Sequence, residues 1–144
     1  MINFIISALK IIFLLGFLVL IHEGGHFLIA KIFKIKVNEF AIGFGPTIFT
    51  KEKGETKYAL RLIPLGGFVS LEGEEEYSDM ENSFSKASIP KRIAIVTAGA
   101  TVNILFGILL YFIIASFSLN GIVDGFNATK RYVIAIAMSI KNLR

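Results

Sequence analysis

"LVLIHEGGHFLIAKIF", Leu18 to Phe33, sets two histidines and a glutamate inside an otherwise apolar run. His22-Glu23-Gly24-Gly25-His26 fits H-E-x-x-H. On a helix, residues four apart share a face, so both imidazoles can reach one metal ion. The glutamate beside the first histidine can then act as general base on a water that the metal acidifies. Each glycine weakens a helix by about 1 kcal/mol relative to alanine. The pair keeps side chains off the ligand face.

A lone H-E-x-x-H in a soluble chain is a weak signal, and here the surroundings decide. Counted back from Lys31, His26 and His22 lie about 8 to 14 Å inside the apolar segment. Ionisable groups at that depth cost on the order of 2.5–3.5 kcal/mol each on insertion scales, and they mark function. A chain that needed an anchor alone would carry Leu at these positions.

The flanking composition agrees. The 144 residues are 54% hydrophobic, with a mean hydropathy of +0.69. Apolar residues collect in Ile2–Phe33 and Ile93–Leu119, with a polar middle between them. Both runs exceed the roughly 20 residues that cross a bilayer core. The first does not read as a cleavable signal: no charge precedes it, its apolar part is too long, and no small-residue cleavage site follows. Ten of the fifteen Lys and Arg residues fall between Lys31 and Arg92. By the positive-inside rule the middle faces the cytoplasm. The charges sit near helix ends, so the partner they imply is the lipid bilayer and not nucleic acid. The absence of cysteine excludes disulfides, thiol catalysis and cysteine-ligated metal.

The expected architecture is an α-helical membrane protein. Two transmembrane helices, about 3–32 and 92–119, are joined by a cytoplasmic, membrane-associated β-hairpin region and acidic loop over about 36–88. A short amphipathic or incomplete helix follows at about 128–142. Within the β region, β-branched and aromatic runs punctuated by Gly and Pro predict four short strands, near 37–42, 47–52, 56–63 and 67–71. "KEKGET" is the clearest hairpin turn. Glu74, Glu75 and Glu76 read as solvated loop charge.

Several stretches together resemble one family: "HEGGH", "FAIGFGP" at Phe40–Pro46, "ETKYALRLIPLGGFVSLEGE" at Glu55–Glu74 and "SFSKASIPKRIAIVTAGATVN" at Ser83–Asn103. In order and spacing the chain is similar to the site-2 proteases, zinc intramembrane metalloproteases, most closely the RseP-type branch. The resemblance implies a Zn2+-dependent endopeptidase that cuts a transmembrane protein substrate, such as a membrane-anchored regulator, within a bacterial cytoplasmic membrane. It implies His22 and His26 as metal ligands and Glu23 as catalytic base. It implies Asn103 as a residue handling substrate, at a depth of roughly 16 Å counted from Arg92. It also implies that the β region, shaped by Phe44, Gly45, Gly66 and Gly67, receives an extended substrate segment beside the metal. The family usually has proline where this chain has Ala100, so a straighter second helix is expected.

A catalytic zinc takes three protein ligands, and the family draws its third, an aspartate, from an L-D-G-type motif on a later helix. "VDG" at Val123–Gly125 follows the second helix on the far side, which argues against Asp124 as that ligand. The expectation is therefore an N-terminal portion of such an enzyme, without PDZ domain or third-ligand helix. The alternative is a catalytically inactive membrane protein that binds partner helices or metal.

Overall fold

The computed structural model describes residues 1–118 and 122–141. Its elements are α1 (Ile2–Ile32), β1 (Val37–Lys53), β2 (Thr56–Leu71), α2 (Ile89–Ser118) and α3 (Ile122–Lys141). They divide into two compact units, Met1–Val102 and Asn103–Arg144.

In the first unit α1 is continuous for 31 residues. That is about 46 Å of helix, more than a bilayer core of about 30 Å requires. Among the described residues, α1 and Ile89–Phe117 are the two helices long and apolar enough to cross a membrane. α1 carries exposed Leu, Ile and Phe around its first half.

β1 and β2 pair antiparallel as one hairpin. The four short strands expected from sequence are two long ones. Between Glu39 and Ile42, β1 is paired twice: Phe40 with Val69 and with Tyr58, Ala41 with Phe68 and with Ala59. The first set of partners descends as β1 ascends, and the second ascends with it. After Pro46, β1 pairs with the same stretch of β2 again, Thr50 with Ala59 and Lys51 with Tyr58. The hairpin is thus folded over, with 39–42 held between 67–70 and 57–60. The folds fall at "GFGP" and "IPLGG". Gly43 and Gly66 take φ of 88° and 73° there, a region closed to most side chains. Extended backbone turns these corners without ending, and the prolines are tolerated because they sit at register shifts.

The folded hairpin lies alongside α1. Gly16 gives room to Leu65 and Gly66, Val19 meets Gly66, Leu20 meets Gly67 and Glu23 meets Val69. Phe27 packs on Phe40, with ring centroids 4.9 Å apart, and Lys31 reaches Thr56 at 2.6 Å. Steps of three and four residues keep these positions on one helix face. From Gly16 to Lys31 the contact runs about 22 Å along the helix axis. Ile42, Phe44, Phe49, Leu60, Leu62 and Ile63 remain exposed on the hairpin.

The buried core is at the other end of the hairpin. Ala30, Ile35, Val37, Leu71 and Ile95 close together, with Phe27, Phe33, Val69 and Phe84 around them. Thr56, fully buried, accepts a hydrogen bond from the Lys31 ammonium and donates one to the Val37 carbonyl at 2.8 Å. The loop from Glu72 to Ser88 is tied back by Lys36 N–H to Asn82 O, Phe84 N–H to Glu72 O and Ser85 Oγ to Gly73 O.

In the second unit, the rest of α2 packs on α3. Tyr111 and Tyr132 stack at 4.8 Å, and Gly125 sits bare against Ser116. α3 begins at Ile122 instead of near residue 128. Gly and Asn in "VDGFNATK" read as loop, but the close Gly125–Ser116 contact and Asp124 in the first turn favour helix locally.

Candidate active site

H-E-x-x-H lies in the second half of α1 and is helical throughout. The His22 and His26 rings meet edge to face, with centroids 4.8 Å apart and an interplanar angle of 71°. His26 Nδ1 donates to the Ile95 carbonyl of α2 at 2.7 Å. A carbonyl only accepts, so Nδ1 carries the proton and Nε2 presents a lone pair, the arrangement of a metal-binding histidine. Both Nε2 atoms turn toward Gly99 of α2. A methyl carbon there would lie 2.5 Å from His22 Nε2 and 2.6 Å from His26 Nε2.

One point within reach of two imidazole nitrogens is what a shared metal needs, since Zn–N bonds run about 2.0–2.1 Å. His22 and His26 therefore fit two positions of a zinc site. Among the described residues, no third His, Cys, Asp or Glu joins them in a metal-holding group.

The Glu23 carboxylate reaches the hairpin, and its Oε2 accepts from the Val69 backbone N–H at 3.2 Å. The two glycines of the motif have different surroundings. Gly24 has open space where a side chain would go. At Gly25 a methyl would meet Ala98 O at 2.8 Å and Gly99 Cα at 3.1 Å. Gly25 is thus where α1 and α2 come closest.

Gly66 and Gly67 are buried in packing. Gly66 faces Val19 and Phe44, and Gly67 faces the Ala41 carbonyl and Leu20. They seat β2 on α1, which brings Val69 to Glu23. Phe44 is exposed, and Gly45 takes a φ of 85° at the outer bend. Asn103 is half-buried on α2 and begins the second unit. Asp124 occupies the first turn of α3, where a carboxylate complements the helix dipole.

Glu74, Glu75 and Glu76 are exposed. Glu74 nonetheless lies within electrostatic reach of the motif. Partial desolvation pushes its carboxyl above the usual carboxylate range. A Leu71 backbone hydrogen bond opposes the rise, and Glu75 and Glu23 add to it. Composition gave no hint of this proximity, nor of the Ile95 carbonyl, the Val69 amide or Gly99. All four depend on how α2 and the hairpin pack against α1.

The family model for peptidase family M50 matches residues 10–144. The chain belongs to this family, that of the site-2 proteases. Curated relatives agree. A Fusobacterium nucleatum protein named as a zinc metalloprotease is 43% identical over 105 residues, covering 73% of this chain and 31% of its own. One from Clostridium acetobutylicum, named likewise, is 42% identical over 99 residues, 69% of this chain and 29% of its own. One from Neisseria meningitidis, also so named, is 41% identical over 118 residues, 79% of this chain and 26% of its own. The chain spans less than a third of the length of these relatives.

Proposed function

We propose that this chain contributes the first two zinc ligands and the catalytic base of an intramembrane metalloendopeptidase, whose substrate is a transmembrane protein segment. The observation that supports it most is the coincidence at α1. Two imidazoles share one point of approach, and a carboxylate one residue from the first is held at the Val69 amide of an inserted hairpin.

His22 and His26 would hold Zn2+ through Nε2, and the ion, when bound, would acidify a water and polarise the scissile carbonyl. The third ligand would come from outside the described residues. The Ile95 carbonyl fixes the His26 tautomer, which orients Nε2. Glu23 would take the proton of the attacking water at its carboxylate and pass it to the departing amine. Val69 N–H keeps that carboxylate aligned and leaves its second oxygen for the water.

A helix must unwind before its peptide bond is cut, and an unwound segment in lipid needs backbone partners. The hairpin follows α1 as far as Gly16 and exposes apolar side chains, so we read it as entering the bilayer beside the span. Residues 67–71, seated by Gly66 and Gly67, offer a strand to the substrate. Asn103 would add an amide partner. With cationic residues concentrated in Lys31–Arg92, the loop end of the hairpin faces the cytoplasm of a bacterial membrane.

The want of a third ligand among the described residues favours a second reading, a membrane protein that binds partner helices or metal without catalysis. The test is cleavage of a transmembrane substrate by the full-length gene product carrying Glu23→Gln. The mechanism requires a loss of about 100-fold or more, the range of general-base catalysis. Cleavage at the unmodified rate refutes it.

A further inference from the structure

Glycine in the middle of a spanning helix costs about 1 kcal/mol relative to alanine, and Gly99 is flanked by Ala98 and Ala100. The usual reason for a small residue in such a helix is close approach of a neighbouring backbone. Gly25 has that reason: a methyl there meets the Ala98 carbonyl and the Gly99 Cα. Gly99 does not. The three atoms nearest to its absent methyl are His22 Nε2 at 2.5 Å, His22 Cδ2 at 2.6 Å and His26 Nε2 at 2.6 Å. All are ligand-edge atoms of the two imidazoles, and none is backbone.

We propose that Gly99 is a positioning residue for the metal: the volume its missing side chain leaves is the volume the ion takes. The inference rests on the reading of His22 and His26 as ligands, and extends the site from α1 alone to the α1–α2 pair. A methyl 2.5 Å and 2.6 Å from the two Nε2 atoms would stand in the space from which one ion reaches both nitrogens. The ion is therefore received between α1 and the bare backbone of α2. The Ile95–His26 hydrogen bond and the Gly25 contact hold that backbone at the depth and spacing the ion needs. Occupancy of the site and docking of α2 on α1 become one equilibrium.

The experiment is a Co2+ titration of the chain in detergent micelles, read by the ligand-field absorption of the bound ion, for the unmodified chain, Gly99→Ala and Ala100→Gly. Altering the groups that merely orient metal ligands costs 10–100-fold in affinity. A methyl in the ion's own volume should cost Gly99→Ala at least 100-fold, with Ala100→Gly within threefold of the unmodified chain. Affinity of Gly99→Ala within threefold of the unmodified chain overturns the proposal and leaves the ligand assignment standing. No binding by the unmodified chain overturns the ligand assignment, and the proposal with it. If Gly99→Ala is too unstable to titrate, the triple variant Gly99→Ala, His22→Ala, His26→Ala decides. Recovery of its thermal midpoint supports the shared volume, and a midpoint that stays low overturns it.

Discussion

Replacing each glycine of the motif in turn separates helix propensity from helix spacing. Gly24 and Gly25 are neighbours on the same helix, so alanine gains about 1 kcal/mol of intrinsic propensity at either. That gain cancels in the difference between the two variants. What remains is steric. At Gly24 nothing lies within 4 Å of the new methyl, whereas at Gly25 it falls 2.8 Å from the Ala98 carbonyl oxygen and 3.0 Å from its carbon. Close C···O contacts between helices run about 3.3–3.6 Å, so α2 must retreat by about 0.5 Å or more. Overpacking of this kind costs about 1–3 kcal/mol. Gly25→Ala should thus be less stable than Gly24→Ala by about 1–3 kcal/mol, measured by reversible unfolding in micelles with helicity as the signal. The retreat also lengthens the 2.7 Å hydrogen bond from His26 Nδ1 to Ile95 O, so the His26 tautomer, read by 15N chemical shift, should become mixed in Gly25→Ala and stay fixed in Gly24→Ala. Equal stability of the two variants, or a more stable Gly25→Ala, would show that α1 and α2 do not meet at this point.

Other perturbations follow from the same packing. Thr56→Val keeps the shape of a fully buried side chain but strips the partner from both the Lys31 ammonium and the Val37 carbonyl; it should cost about 1–3 kcal/mol, and an unchanged unfolding midpoint would refute the linkage. Gly66→Ala and Gly54→Ala both force alanine into positive φ, 73° and 63°, at about 1–2 kcal/mol each. Gly66→Ala also presses on Val19 and Phe44 at 3.1 Å while Gly54 has open space, so it should be the more harmful in thermal unfolding, and the reverse order would mean the hairpin is not seated on α1. Hydrogen bonds from Ser78 and Asn38, and then the charge of Lys36, hold the Glu72 carboxyl below its ordinary value. A lowered folded-state pKa gives stability that is present above the ordinary carboxylate range and lost as pH falls through the folded value. Amide exchange in residues 72–86, corrected for its intrinsic pH dependence, should therefore rise on acidification below that range, and should lose this pH dependence in Glu72→Gln.

The helices and the adjacency of the two imidazoles were legible because each is a local pattern. A run of apolar residues long enough for a bilayer needs no knowledge of its neighbours, and i, i+4 spacing brings His22 and His26 together on any helix. The breaks in the β region were legible too, since Gly43, Pro46, Pro64 and Gly66 stand out in an extended stretch. Their meaning was not. Gly and Pro mark an end of a strand or a fold in one, and only the pairing of Phe40 with both Val69 and Tyr58 distinguishes them. The start of α3 was missed for a related reason: Gly125 opposes helix by propensity, and contact with Ser116 overrides it. Glu74 is exposed, as its acidic loop implied, but composition carries no distance and so gave no sign of its proximity to Glu23.

The ionisable residues of the H-E-x-x-H stretch of α1, all half-buried, meet three separate partners. His26 is bonded to the α2 backbone through Ile95, Glu23 to the β2 backbone through Val69, and the Nε2 atoms of both histidines face the bare α2 backbone at Gly99. Each group costs several kcal/mol in lipid when unpaired. α1 alone has no partner to offer them, because its own N–H and C=O groups are consumed within the helix. Placing "HEGGH" in so apolar a helix is therefore favourable only together with the hairpin on one side and α2 on the other. That requirement explains why "IPLGGF" and "TAGATVN" accompany the motif. The first supplies the glycines that let β2 reach α1 at Val19 and Leu20, and the second supplies the glycine that lets α2 face the imidazoles. The arrangement has three elements: the sequence motif contributes two imidazoles and a carboxylate, and its two companions contribute the geometry.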